Sequence, residues 1–233
     1  MKLFTKGVKG LVALVVAGGR GKRLGADVPK QFLKIGGKEI LSLTLERISR
    51  LSPERVIIAA PKDFIDLTEG IAQVFGAEVV EGGVTRQESV KNCIERCVGC
   101  EGKLVIVHDG VRPFFPYDAV VKCLKLAEEI GSATLAVRVK ETVAVVENFD
   151  IREIPDRSAL WRIQTPQCFR FELLKNAHMK AVSEGFYGAP DDTFLILRYS
   201  LSRVGVVEGD EKNIKITHEE DLKLAEYYFR AGI

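Results

Sequence analysis

An α/β architecture, with a mostly parallel twisted sheet, helices on both faces and a projecting β-arm, is what this sequence predicts. Two observations carry the sheet: short β-rich apolar runs, and segments of helical period that alternate with them. A third, a break in that alternation between positions 142 and 154, supplies the arm.

The strands expected are Leu11 to Val16, Arg55 to Ala60, Glu78 to Glu81, Leu104 to His108, Thr134 to Val139 and Val204 to Glu208. Between the first two, Ile40, Leu41, Thr44, Leu45, Ile48 and Leu51 recur at three- and four-residue steps, which gives one helix face to pack on the sheet. Asp63 to Phe75, Gln87 to Cys97 and Asp118 to Ile130 have the same period. Thr217 and Glu220 have the spacing of a capping box, which starts a last helix through Tyr228.

Thr142 to Val146, a turn at Asn148 to Asp150 and Ile151 to Ile154 form the hairpin. Two strands have too little core to stand alone, so the arm, about residues 138–158, is expected to pair with a second subunit. Residues 1–233, with this arm included, are expected to be one domain.

Composition narrows the function classes. With 46% apolar and 28% charged residues the chain is neither disordered nor membrane-embedded in character, and no apolar stretch is long enough to span a bilayer. Its 34 basic and 32 acidic residues are spread evenly, so no basic block argues for nucleic acid. Lys2, Lys6 and Lys9 before the apolar run at Leu11 imitate a signal peptide, but basic residues follow that run at once, as suits a buried strand entering a functional loop. Five cysteines, an odd number in a chain too large to need stapling, point to reduced thiols and the cytoplasm. Cys93, Cys97 and Cys100 lack a second pair of ligands for zinc, and buried thiols are the better reading.

Four segments carry chemistry. After the first strand come Ala17, Gly18, Gly19, Arg20, Gly21, Lys22 and Arg23, followed by Lys30. Glycines let backbone N–H groups close around phosphate oxygens, and the basic residues neutralise their charge. Leu24 excludes a dinucleotide fingerprint, and no GxxxxGK followed by Ser or Thr exists, so two common cradles are ruled out. The competing reading is a plain glycine turn with exposed basic residues. Asp109, directly beyond a buried strand, lies where open α/β sheets bind ligands and is suited to Mg²⁺, although a turn cap is the alternative. His108 lacks a nucleophile motif beside it and is read as structural. Gly82 to Val90, with Gly83 and Ser89, and the segment around Lys215 say little alone.

Together AGGRGKRLGADVPKQF, GGVTRQESV, VHDGVRPF, DRSALWRIQTPQCF and DEKNIKIT, in this order, resemble the 2-C-methyl-D-erythritol 4-phosphate cytidylyltransferases of the non-mevalonate isoprenoid pathway. The resemblance implies a Rossmann-like nucleotidyltransferase fold that moves CMP from CTP to a small phosphorylated alcohol. It implies that Ala17, Gly18, Gly19, Arg20, Gly21, Lys22, Gly83, Ser89 and Gly110 bind the nucleotide and that Arg23, Lys30 and Lys215 act on the reacting phosphate. It further implies Mg²⁺ on Asp109, and acceptor binding by Thr142, Arg157 and Thr165 in a site shared across a homodimer. Val84 stands where the family often has an acid, and Glu141 replaces an Asp commonly found before the arm threonine. Three rivals remain: a ribitol 5-phosphate cytidylyltransferase, a sugar 1-phosphate nucleotidyltransferase using another base, and a nucleotide-binding regulator without turnover.

Overall fold

The computed structural model describes residues 10–19 and 28–233. Arg20, Gly21, Lys22 and Arg23 of the glycine-rich loop lie outside the described residues.

In chain order the elements are β1 (Leu11–Val16), β2 (Lys34–Ile35), β3 (Lys38–Glu39), α1 (Ile40–Ser49), β4 (Arg55–Ala60), α2 (Ile65–Val74), β5 (Glu78–Glu81), α3 (Arg86–Arg96), β6 (Leu104–Asp109) and α4 (Tyr117–Ile130). They continue as β7 (Ser132–Arg138), β8 (Val145–Glu147), β9 (Asp150–Glu153), β10 (Trp161–Arg170), α5 (Phe171–Ser183), α6 (Asp192–Arg198), β11 (Gly205–Glu208) and α7 (Glu219–Arg230). Seven strands form one sheet in the order β11-β7-β10-β6-β1-β4-β5, parallel except for β10, which runs against both its neighbours.

Alternation along β1 explains why both faces are covered. Leu11, Ala13 and Val15 join the layer under α1 and α4, while Val12 and Leu14 join the layer under α3, α5 and α6. A strand apolar at every position has no face to give to water, so helices must pack on each side. The chain runs from β1 outward through β4 to β5, then returns to β6 on the other flank of β1. The order therefore reverses between β1 and β6, and their carboxyl ends flank a crevice.

Six expected strands and the expected helices form, with ends shifted by a residue or two. The last helix differs in its cap: Asp221 Oδ2, not Glu220, accepts from Thr217 N–H at 2.8 Å and His218 N–H at 2.9 Å. Starting the helix at Glu219 puts the acid three residues beyond His218. Strand β10, the β2–β3 hairpin and helices α5 and α6 go beyond the expected elements. Pro166 disguises β10, because proline interrupts a ladder; here the pairing with β7 shifts register between Ile163 and Gln167, and the proline sits in that bulge.

The arm is a separate antiparallel pair, β8 with β9, turned by Asn148 and Phe149 at positive φ. All its strand residues are exposed, and Phe149 stands wholly in solvent. Leu14, by contrast, is completely buried in the central strand. Leu14→Ala should therefore cost about 3 kcal/mol in urea denaturation, whereas Phe149→Ser should change the stability of an isolated chain by less than about 0.5 kcal/mol; equal effects would contradict this division.

Candidate active site

The crevice between β1 and β6 is lined by Ala17, Gly18 and Gly19 on one side, Gly83 to Arg86 and Ser89 on another, and Lys30, Asp109 and Lys215 around the rest. Each wall has a local cause. Ala17 continues the ladder to Ala59 O, and Gln31 Nε2 donates to Ala17 O at 2.6 Å, which holds the start of the glycine turn. Among the described residues nothing accepts from the N–H groups of Gly18 and Gly19.

The Gly82–Gly83 turn is set by α3. Thr85 and Glu88 close a reciprocal capping box, and Ser89 Oγ accepts from Gly83 N–H at 3.1 Å while donating to Thr85 O at 3.0 Å. A Cβ on residue 83 would lie 2.1 Å from Glu88 Cβ, so only glycine fits there. Ser89 thus shapes this wall through its hydroxyl. Gly110 lies behind the cleft rather than on it: its N–H donates to Val16 O, and a Cβ would press on Ala17 and Leu41.

Asp109 is the electrostatic centre. Only 5% exposed, it accepts from Arg112 Nε at 3.0 Å, lies 3.1 Å from Lys215 Nζ and 3.4 Å from Arg86 Nε. Burial alone would raise its pKa, but Arg86, Lys215 and Arg112 outweigh burial and hold the carboxyl well below the usual carboxylate range. Arg86 shows the converse balance: burial works against its charge, and Asp192 and Asp109 more than restore it. Arg86 and Arg112 were not singled out as site residues from sequence; Arg86 sits in the GGVTRQESV motif, and its position at the first turn of a helix facing the crevice was the available signal.

Beneath Asp109 runs a polar chain. Asp109 N–H donates to Thr165 Oγ1 at 3.1 Å, Thr165 Oγ1 lies 2.9 Å from His108 Nδ1, and His108 Nε2 lies 3.0 Å from Arg112 O. A carbonyl only accepts, so Nε2 carries the proton and Nδ1 takes the Thr165 hydroxyl hydrogen. This assigns a neutral imidazole with both nitrogens occupied, and burial first of all pushes the His108 pKa down to about 4. His108, expected to be structural, is buried with both ring nitrogens engaged. Thr165, expected to touch the acceptor, is buried, and its hydroxyl is engaged in this chain.

Asn213 completes the support: Nδ2 donates to Thr165 O at 2.8 Å and its own carbonyl accepts from Arg112 Nη1 at 2.8 Å. The segment carrying Lys215 is thereby clamped to the bulge of β10. Thr142 and Arg157 do not join this cleft in a single chain. Arg157 donates to Lys140 O and lines a second groove with Arg138 and Asp210, and Thr142 is exposed before β8.

Among the described residues Asp109 is the one carboxylate lining the cleft, and no three His, Cys, Asp or Glu cluster as a metal cage. One ionised carboxylate suits Mg²⁺, which keeps its waters and is held by one or two carboxylates together with substrate phosphates. All five cysteines are free and buried.

Amides and cations gathered at the switch point of a doubly wound sheet define the class as phosphate-handling, nucleotide-binding α/β proteins. Comparison narrows this. The family model for 2-C-methyl-D-erythritol 4-phosphate cytidylyltransferase matches residues 11–231, and the chain belongs to that family. It is 40% identical over 227 residues to the cytidylyltransferase of that name from Geobacter metallireducens, covering 94% of this chain and 97% of that protein. The counterpart from Syntrophotalea carbinolica is 37% identical over 224 residues, covering 92% and 94%. The 4-diphosphocytidyl-2C-methyl-D-erythritol synthase structure from Anaerococcus prevotii superposes with a TM-score of 0.83 at 28% identity, covering 95% of this chain and 99% of that one. The protein is an enzyme, a nucleotidyltransferase with the family's mostly parallel α/β fold.

The neutral His108 has a measurable consequence. Its pKa is about 4 in the fold and 6.5 without it, so below pH 6.5 the unfolded chain takes up a proton that the native state refuses. Stability is complete above pH 6.5 and declines as pH falls towards 4, by at most about 3 kcal/mol from this group. Urea midpoints between pH 7.5 and 5 should show that loss in the wild type and a smaller one in His108→Gln. An identical pH dependence in both would remove His108 as the cause.

Proposed function

We propose that the enzyme transfers CMP from CTP to 2-C-methyl-D-erythritol 4-phosphate, giving 4-diphosphocytidyl-2-C-methyl-D-erythritol and pyrophosphate. One observation carries the reading: a buried, ionised Asp109 and the Lys215 ammonium 3.1 Å away face the same cleft as the glycine turn and Lys30. A phosphate oxygen of the acceptor attacks the α-phosphorus of CTP. The bond from that phosphorus to the oxygen bridging to the β-phosphorus breaks, and pyrophosphate leaves with its electron pair.

The attacking oxygen is already ionised near neutral pH, so no general base is required, and none is offered: His108 is neutral with both nitrogens engaged. Repulsion between anions is the obstacle. Lys30 and Lys215, which both line the cleft, counter it, with Arg23 assigned the same role by family resemblance. Asp109 would hold Mg²⁺, which when bound neutralises phosphate charge and orients the triphosphate. Gly18 and Gly19 offer N–H groups to phosphate oxygens, and the resemblance assigns nucleotide binding to Ala17, Arg20, Gly21 and Lys22 as well.

The reading extends to a cytoplasmic homodimer. Val146, Phe149, Ile151 and Ile154 are apolar and exposed along the arm, which supports burial against a second copy. Thr142 and Arg157 would then approach the partner's acceptor site. We assign the nucleotide and alcohol from the relatives' names, and no feature of the site favours a rival.

Lys30→Ala and Lys215→Ala should fold normally and release pyrophosphate from CTP and the alcohol phosphate on the order of a hundredfold more slowly or worse. Near-normal turnover in both would refute their roles. In parallel assays CTP should win over UTP, GTP and ATP, and methylerythritol phosphate over ribitol 5-phosphate; the reverse preference would replace the named substrates. Sedimentation should give a dimer, and a fully active monomer would rule out a shared site.

A further inference from the structure

Behind the cleft, α5 and α6 pack on α3 through a polar relay that reaches the site without lining it. Asp192, first in α6 and 1% exposed, accepts from Arg86 Nη1 at 2.7 Å on Oδ2 and lies 2.9 Å from His178 Nε2 through Oδ1. His178, from α5, is 2% exposed. The Asp192 N–H donates to Gln167 Oε1 at 3.1 Å, and Thr193 N–H to the same oxygen at 3.3 Å, so α6 is pinned to β10. Gln87 adds a second tie, donating to Phe186 O and accepting from Ala189 N–H. Asp192 is therefore fixed on every side before Arg86 reaches it.

Arg86 spans the gap between two carboxylates. Its guanidinium is planar and rigid, so anchoring Nη1 on Asp192 dictates where Nε points, and Nε points at Asp109 Oδ1 from 3.4 Å. The Asp192 contact is the short one and the Asp109 contact the long one. Nη2 is buried with no hydrogen-bond partner, and the side chain lines the cleft.

We propose that Asp192, held in turn by His178, is a positioning residue for the transfer reaction: by drawing Arg86 to itself it leaves the Asp109 carboxylate oriented and open to a divalent ion. The inference rests on the function proposed above. Asp192 does not line the cleft and reaches it through Arg86. Without its charge, Arg86 has Asp109 as its one acidic partner and competes with the metal for it.

Asp192→Asn keeps the side-chain shape and leaves Oδ1 able to accept from His178 while removing the charge. In the full-length protein we expect Mn²⁺ affinity in the presence of CTP, read by water-proton relaxation, to fall about tenfold, the lower end of losses for residues that support metal ligands. The Mg²⁺ concentration for half-maximal pyrophosphate release should rise by a similar factor. Arg86→Gln and the double variant Arg86→Gln/Asp192→Asn complete a cycle, in which the double should match Arg86→Gln alone because Asp192 acts only through Arg86.

Wild-type Mn²⁺ affinity in Asp192→Asn, or losses that multiply in the double variant, would overturn the proposal. If Asp192→Asn does not fold, comparing the double variant with Arg86→Gln still decides. A wild type that binds Mn²⁺ but releases no pyrophosphate would instead sink the function, while the Mn²⁺ cycle continued to judge Asp192.

Discussion

A carboxylate placed out of water at the end of a central strand is the constraint around which this molecule is arranged. Removing such a charge from water costs several kcal/mol unless opposite charges meet it. Asp109 is met by three, and each comes from a different part of the chain: Arg86 from the start of α3, Arg112 from the loop beyond β6, and Lys215 from the segment before α7. Arg112 lies three residues along the chain, but the two remote segments that carry Arg86 and Lys215 must dock before that charge is balanced, so completing the fold also completes the site. The same crowding leaves positive charge at a cleft whose ligand is expected to be strongly negative.

The supports under Asp109 are polar, and His108 and the Thr165 hydroxyl are paired at each polar atom. Strand β10 runs antiparallel between two parallel neighbours, and its bulge turns Thr165 inward to meet His108 and the Asp109 amide. A regular strand would send alternate side chains to the two faces and have no reason to place a hydroxyl at that point. Gln164 and Asn213 then lock the bulge to the segment that carries Lys215. The irregularity in the sheet is thus what joins its carboxyl edge to the C-terminal cation.

Stability and assembly are divided between different surfaces. Core layers on both faces of the sheet bury all of β6 and all of β1 but its last residue, Val16, whereas the strands of the β8–β9 arm are exposed throughout. An arm of that kind adds little to folding. Its exposed apolar residues are the ones that the proposed homodimer would cover.

The strands of the parallel sheet, the first four helices and the last, the arm, and the places of Ala17 to Gly19 and Asp109 at the cleft were legible in the sequence, because each announces itself within a few neighbouring residues. Local periodicity separates buried strands from amphipathic helices, and an acid after an apolar run has a definite place in an α/β sheet. Strand β10 was hidden by Pro166, whose bulge is tolerated only because two neighbouring strands hold the chain on either side. The involvement of Arg86 and Arg112, the engaged hydroxyl of Thr165 and the retreat of Gly110 behind the cleft were decided by tertiary structure alone. Charge balance and hydrogen-bond pairing in a buried site depend on residues far apart in the chain, such as Arg86 and Asp192, and distance in space is a quantity that residue order does not contain.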